Sequence, residues 1–328
     1  MGAERQKSRI WLTFKSEDNE WKAQKALLHR FMQLFPPEID LISPPVPDSW
    51  RVLVTGITSI HGWPIFTQLQ RLLPEHRLMG IRSPKMNIPD YENAHSLCIT
   101  DKENLGHIKS EFRPTHVIHC AGVCDLDVCE ERPAWASMLN VGGARVVVEV
   151  FGDIPVFFMS TDLVFSGENP PHNGYAEEHI PDPISMAGKT FREAEKVIQK
   201  CREWCIIRLG LPLGDSVTGD KGAVDWIESR FKRNLPVTLF HDEFRSCISC
   251  DEIGRMAVCA LTKELRGIYH FGGAGAWSLH DIGRYVIEKG GYPDTLLTGI
   301  MRQEDIGGPP RIGDVTMKSS KIAGVLTG

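Results

Sequence analysis

From Trp50 onward, short apolar runs alternate with longer stretches of mixed polarity. Arg51-Val52-Leu53-Val54 is apolar and β-branched and ends in Thr55-Gly56. A run of that length, stopped by a turn residue, predicts a buried strand. Trp63 to Leu73 predicts a helix, His76 to Ile81 a second strand, and Thr115 to His119 another. Ala134 to Phe151 predicts a further helix and Pro155 to Met159 a further strand. Strands alternating with helices predict an α/β fold whose parallel sheet is covered on both faces.

Residues 1–49 have a different texture. Arg9 to Phe14 predicts a short strand. Glu20 to Phe35 carries apolar residues mostly at three- and four-residue spacing, including Trp21, Leu27, Leu28, Phe31 and Phe35, as an amphipathic helix does. Pro36-Pro37, Pro44-Pro45 and Pro47 end that helix and form a stiff linker. This extension either packs on the main body or binds a protein partner.

The net charge of −5, with no polybasic run, gives no sign of a nucleic-acid surface. No stretch reaches the roughly 18–20 apolar residues of a membrane span. The polar start lacks the apolar run of a signal peptide, so the expected location is the cytoplasm. Nine cysteines then read as reduced thiols. Cys247 and Cys250 form a lone Cys-x-x-Cys without the second pair or histidines of a zinc site, so no metal is expected.

The candidate chemistry gathers at predicted strand ends. Thr55-Gly56-Ile57-Thr58-Ser59-Ile60-His61-Gly62 is a strand-to-helix turn in which Gly56, Ser59, Ile60 and Gly62 occupy the places of a pyrophosphate-binding loop. Glycines there let the backbone approach the phosphates, and the helix N-terminus offers N–H groups to them. Ser59 stands where that loop usually has its middle glycine. Arg82 and Ser83 follow the second strand, where an arginine suits the 2′-phosphate of NADP(H) and an acid would suit NAD(H). Cys120-Ala121-Gly122 closes the next strand with small residues, and Asn140 follows in the helix after it. Ser160, Thr161 and Asp162 end another strand, where ligands bind in open α/β sheets.

Together these segments resemble the extended short-chain dehydrogenase/reductase family, in its dTDP-4-dehydrorhamnose reductase branch. The most specific stretch is Ser160-Thr161-Asp162-Leu163-Val164-Phe165-Ser166-Gly167. His119-Cys120-Ala121-Gly122, Asn140-Val141-Gly142-Gly143, Arg208 to Gly214, Phe244 to Gly254, Gly267 to Gly273, Pro309-Pro310-Arg311 and Ser319-Ser320-Lys321 continue the series. The resemblance covers roughly residues 50–325. It implies a Rossmann-like, doubly wound domain over 50–212 and a smaller, discontinuous substrate domain over 213–328. It also implies a nicotinamide cofactor held by Gly56, Ser59, Ile60, Gly62, Arg82, Ser83, Cys120, Ala121, Gly122, Asn140 and Ser160, and a nucleotide-activated sugar as ligand. Arg82 with Ser83 favours NADP, with NAD the alternative.

In the family a tyrosine exchanges the proton while hydride moves, and a lysine one helical turn on lowers the tyrosine's pKa. Here Ala187 and Phe191 hold those two places. Lys189 is two residues away from the lysine's place and points about 200° around the helix from Ala187. Tyr175 lies too far upstream to share the geometry. Thr161 and Asp162 remain as candidate catalytic groups: Thr161 for the reacting oxygen, Asp162 as an alternative acid or base. The other reading is that both only shape the strand end. His61 and His179 are weaker candidates. Arg245 suits a substrate phosphate, and a plain ion pair is its other reading. Two functions therefore stand side by side. One is a nucleotide-sugar oxidoreductase with altered proton delivery. The other is a non-catalytic subunit on the same fold, since the family includes regulatory subunits of other enzymes.

Overall fold

The computed structural model describes residues 45–86, 93–273 and 275–327. The expected strand at Arg9–Phe14, the helix at Glu20–Phe35 and most of the proline linker lie outside those residues.

Short runs rich in β-branched and aromatic residues form the strands of the main sheet. In chain order the first elements are β1 (Val52–Thr55), α1 (Gly62–Gln70), β2 (Leu78–Arg82), β3 (Ala94–Ser96), α2 (Lys102–Phe112) and β4 (His116–His119). Then come α3 (Leu126–Glu131), α4 (Pro133–Ser137), α5 (Gly143–Phe151), β5 (Val156–Thr161), α6 (Met186–Ile198) and β6 (Trp204–Leu209). After these stand β7 (Pro212–Leu213), α7 (Ala223–Lys232), β8 (Val237–Phe240), β9 (Phe244–Ser246), β10 (Ile248–Ser249) and α8 (Cys250–Thr262). The last are β11 (Gly267–Phe271), β12 (Ala276–Ser278), α9 (Leu279–Gly290), β13 (Leu297–Ile300) and α10 (Ser320–Thr327).

The main sheet is parallel and has seven strands in the order β11-β6-β5-β4-β1-β2-β3. Strand order reverses between β1 and β4, the crevice where doubly wound sheets bind ligands. One face is covered by α1, α8 and α10 through Ile65, Phe66, Leu69, Ile253, Met256, Ile322 and Leu326. The other is covered by α2, α5 and α6 through Leu105, Phe112, Ala144, Val147, Phe191, Ala194 and Ile198. β1 and β4 are buried along their whole length, as strands covered on both faces must be. The expected α/β, Rossmann-like class is the class observed.

Two elements differ from their sequence expectation. The helix read from Ala134 to Phe151 is broken by a π-turn at Met138–Gly142. There Asn140 turns its amide onto the backbone of Val123 instead of extending the regular helix face. The second strand starts at Leu78, because Glu75–Arg77 closes a 3-10 turn after Pro74.

Beyond β6 a separate core gathers Leu213, Val224, Ile227, Phe231, Val237, Leu239, Ile282 and Val286. Here β8 pairs with β13 and β9 with β12. The chain then returns to the main sheet through β11, and residues 311–318 run between the two parts, bridging Phe244 at Asp314 and Tyr175 at Met317. Among the described residues, no helix is long and apolar enough to cross a membrane.

Candidate functional site

The turn after β1 meets the end of β4 at the switch point. Gly56 has φ of +69°, and a Cβ on it would run into the backbone of Ala121 and Cys120. A glycine is therefore required, both for the left-handed backbone and for the close approach. Ser59 does not project into the cleft as a free hydroxyl: its Oγ accepts the Gly62 N–H at 2.9 Å. That bond satisfies one of the orphan donors at the start of α1. The first turn of α1 carries no acidic residue, so its positive end is not neutralised from within. Ile60 is buried, and its carbonyl accepts the Cys250 thiol at 3.6 Å. These features fit a bound pyrophosphate.

The other expected cofactor contacts lie at or after the ends of β2, β4 and β5 and in the π-turn. Arg82, at the end of β2, donates Nη1 to the Met86 carbonyl at 3.0 Å, and half-buried Ser83 follows it. The Cys120 thiol is buried, and burial pushes its pKa up. Gly122 is exposed beside half-buried Ala121. Asn140 accepts the Val123 N–H at 2.8 Å and donates to the Val123 carbonyl and to Thr190 Oγ1, each at 2.9 Å. Ser160 turns away from the cleft and donates to Glu195 Oε1 at 2.7 Å. Glu195 also receives two hydrogen bonds from Arg208, at 2.9 and 3.0 Å, in a fully buried pair that ties α6 to β6.

Two histidines at the switch point were not expected to act together. His61 hydrogen-bonds the Cys120 backbone, and burial pulls its pKa down to about 4. His119 Nδ1 meets Thr55 Oγ1 at 2.7 Å, and burial followed by the neighbouring His61 pulls its pKa to about 3. Both rings are neutral at physiological pH, and neither buried Nε2 has a hydrogen-bond partner among the described residues.

The place of the missing catalytic pair is filled with apolar atoms. Ser185 caps α6 by accepting the Gly188 N–H at 3.1 Å. Gly188 lies so close under the Leu163 carbonyl that no larger residue fits. Ala187 is fully buried. The Phe191 ring stacks on Phe158, with centroids 6.0 Å apart. Its Cζ lies 2.9 Å from where a Gly122 Cβ would be. Lys189 is exposed. Tyr175 is held elsewhere, stacked on Phe165 at 4.1 Å. His179 Nδ1 accepts the Ala176 N–H at 2.8 Å.

Asp162 and Arg245, 83 residues apart, meet at the end of β5. Arg245 Nε donates to Asp162 Oδ2 at 2.7 Å, and Nη2 donates to Oδ1. Asp162 is 0% and Arg245 6% exposed, so water screens the pair little. Thr161 Oγ1 donates to Asp162 Oδ1 at 3.2 Å and accepts the Leu163 N–H at 3.3 Å. The groups expected to act separately, as acid or base and as phosphate contact, are each other's partner.

Next to them is a group the sequence reading passed over. Glu243 is 1% exposed, and its buried Oε2 has no hydrogen-bond partner among the described residues. Burial pushes its pKa up to about 7, against the pull of Arg245, Arg311 and Arg302. Asp242, Arg302, Asp305 and Arg311 line an open cavity of about 450 Å³ beside it. Arg302 pairs with Asp242 and Glu168, and Arg311 with Asp127 and Asp305. The acid pair Asp242-Glu243, two residues before Arg245, was the available signal; burial of one member was not visible.

A family model described as the RmlD substrate binding domain matches residues 50–326. The chain belongs to the RmlD family. Among its relatives is methionine adenosyltransferase 2 subunit beta of Rattus norvegicus, 27% identical over 270 residues, covering 79% of this chain and 78% of that protein. Another is a probable low-salt glycan biosynthesis reductase of Haloferax volcanii, 28% identical over 255 residues, covering 74% and 81%. Of solved structures, a dTDP-4-dehydrorhamnose reductase of Bacillus anthracis in complex with NADP superposes with a TM-score of 0.69 at 21% identity, over 84% of this chain and 92% of that one. The last likeness shows the shared fold. The branch expected from the motif series is thus the one found.

Proposed function

We propose that this RmlD-family chain binds a nicotinamide dinucleotide and a nucleotide-activated sugar, with proton delivery altered from the tyrosine–lysine scheme. The observation that carries the reading is the Gly56 turn pressed against Ala121 at the β1/β4 switch point, beside a helix end without an acid. Gly56, Ile60, Gly62 and Ala121 would hold the pyrophosphate. Among the described residues Arg82 bonds only the Met86 carbonyl, and a guanidinium at the end of β2 suits a 2′-phosphate, which favours NADP over NAD. A bound nicotinamide would supply hydride chemistry. On the protein side, Thr161 and Asp162 form a hydrogen-bonded pair whose carboxylate is committed to Arg245. For Asp162 to exchange a proton with a sugar, Arg245 must first release it. Nine cysteines with no disulfide among the described residues suit a reducing compartment, the cytoplasm.

Calorimetric titration with NADPH and NADH tests the cofactor half. Micromolar binding of NADPH, tighter than NADH, is expected; no binding of either overturns it. Turnover of a panel of nucleotide 4-keto-sugars with NADPH then tests the chemistry.

A second reading is a binding subunit without turnover. It is favoured by the buried Phe191 and Ala187 at the catalytic places, and one relative carries the name of a subunit. Co-purification from native extract, with and without residues 1–49, tests it. A chain that stays alone in both forms counts against a partner role.

A further inference from the structure

Three guanidiniums and six carboxylates crowd one end of the substrate cleft. Arg245 is held by Asp162, Arg302 by Asp242 and Glu168, and Arg311 by Asp305 and Asp127. Glu243 is the sixth carboxylate, and it feels Arg245, Arg311 and Arg302 as attraction and Asp162 as repulsion. An anion entering the cavity adds negative charge to a cluster that already has more carboxylates than guanidiniums. It also draws on Arg302 and Arg311, the two arginines that line that cavity. Some carboxylate must then lose its charge or its cation. Glu168 and Asp127 have more than half of their side chains exposed, so water screens them. Asp162, Asp242 and Asp305 are each paired with an arginine. Glu243 alone of the six combines near-complete burial with an oxygen that has no hydrogen-bond partner among the described residues. A buried carboxyl in that position is the one most readily neutralised.

We infer that Glu243 couples anion binding in the Arg302–Arg311 cavity to uptake of a proton: its carboxyl is charged in the free protein and neutral when an anion is bound. The inference rests on the proposed binding of a nucleotide-activated sugar and places that ligand's phosphates in this cavity. The proton makes binding weaken as pH rises, because the free protein must then be protonated against the solution. Burial pushes the pKa of Glu243 up to about 7, so ionisation of the free carboxyl is completed as pH rises through the mildly alkaline range. Full linkage weakens binding by up to about tenfold per pH unit above that pKa.

The test is calorimetric titration of the full chain with dTDP-glucose, whose diphosphate diester exchanges no proton near neutrality. Runs in buffers of different ionisation enthalpy, at pH 7.5 and 8.5, read the proton count directly. The expected result is net proton uptake at pH 7.5 that rises toward one proton at pH 8.5, with a several-fold weaker Kd at pH 8.5. Glu243→Gln should bind without proton uptake and with a flat pH profile. As a check independent of the variant's folding, the infrared carbonyl band of a protonated carboxyl should grow when dTDP-glucose is added to the native protein. Binding without proton uptake, uptake unchanged in Glu243→Gln, or no growth of that band overturns the inference and leaves the nucleotide-sugar reading standing. No binding of dTDP-glucose by the native protein overturns both.

Discussion

Removing either member of the Asp162–Arg245 pair should destabilise the fold far more than removing both. The gross attraction of two charges about 4 Å apart is about 4 kcal/mol at an effective dielectric near 20. Taking both ions out of water costs several kcal/mol each, so the pair as a whole contributes little net stability. A lone survivor is different, because it keeps the desolvation cost without the attraction. Arg245→Met leaves Asp162 fully buried with the Thr161 hydroxyl as its remaining side-chain donor. That variant should lose about 5 kcal/mol, the upper end for a broken buried pair. Asp162→Asn leaves Arg245 with Glu243 still nearby, and should lose about 3 kcal/mol.

The double variant Asp162→Asn/Arg245→Met should lose only about 1–2 kcal/mol, less than either single variant, which is a coupling of about 6–7 kcal/mol. Urea unfolding at pH 7.5, followed by the fluorescence of the eight tryptophans, measures all four forms. Additivity within about 0.5 kcal/mol, or single losses below about 1 kcal/mol, would refute the reasoning. Either result would mean that water reaches the pair and that Arg245 is free to meet a ligand.

Reinstating the tyrosine and lysine as Ala187→Tyr/Phe191→Lys should lower stability by about 3–5 kcal/mol, since it overpacks a fully buried alanine and replaces the ring stacked on Phe158 with a buried charge; an unchanged urea midpoint would contradict this. Ser59→Gly should free the Gly62 N–H and tighten NADPH binding several-fold by calorimetry, at a stability loss of only a few tenths of a kcal/mol; weaker binding would show that the hydroxyl itself contacts the cofactor. His119 and His270 are both fully buried and held near pKa 3, mainly by burial. The unfolded chain protonates them near 6.5, so it binds more protons than the fold as pH falls. Unfolding free energy should therefore drop between pH 6.5 and 5 by up to about 1.4 kcal/mol per unit for each histidine; a flat profile there would rule this out.

The strands flanking the switch point were legible because their information is local. β1 and β5 are short, mostly apolar runs that end in threonine, β4 is a Val-Ile pair between two histidines, and burial on both faces removes the need for alternation. The turn at Gly56 was legible from its glycines, but the role of Ser59 was not. The sequence places a serine where the loop usually has its middle glycine, and the hydroxyl folds back onto the Gly62 N–H. The π-turn in the Ala134–Phe151 segment left no mark because Asn140 sits within an otherwise helical pattern. Long-range pairing is the larger gap. Nothing near Asp162 announces Arg245, and nothing near Glu243 announces its burial, because both depend on how β9 packs against the end of β5. The replacement of the catalytic pair could be read from Ala187 and Phe191. What fills the space, a phenylalanine ring stacked on Phe158, could not.

The polar groups around the β5 end share one property that bears on function. Ser160 is committed to Glu195, Thr161 to Asp162, Asp162 to Arg245, and Asn140 to Val123 and Thr190. A proton relay needs a group that can change partner as the reaction proceeds, and each of these would have to break a buried bond to do so. The features proposed for binding draw on backbone and on half-buried ion pairs instead. The glycine turn needs only backbone, α1 offers a positive end, and Arg302 and Arg311, each paired with two carboxylates, line an open cavity near Glu243, whose buried Oε2 has no hydrogen-bond partner among the described residues. On the proposed reading, binding and proton transfer are separable in this chain, because Ala187 and Phe191 fill the places of the family's tyrosine and lysine with apolar contacts that hold α6 against β5. A protein built this way should recognise its ligands in full before any question of turnover arises.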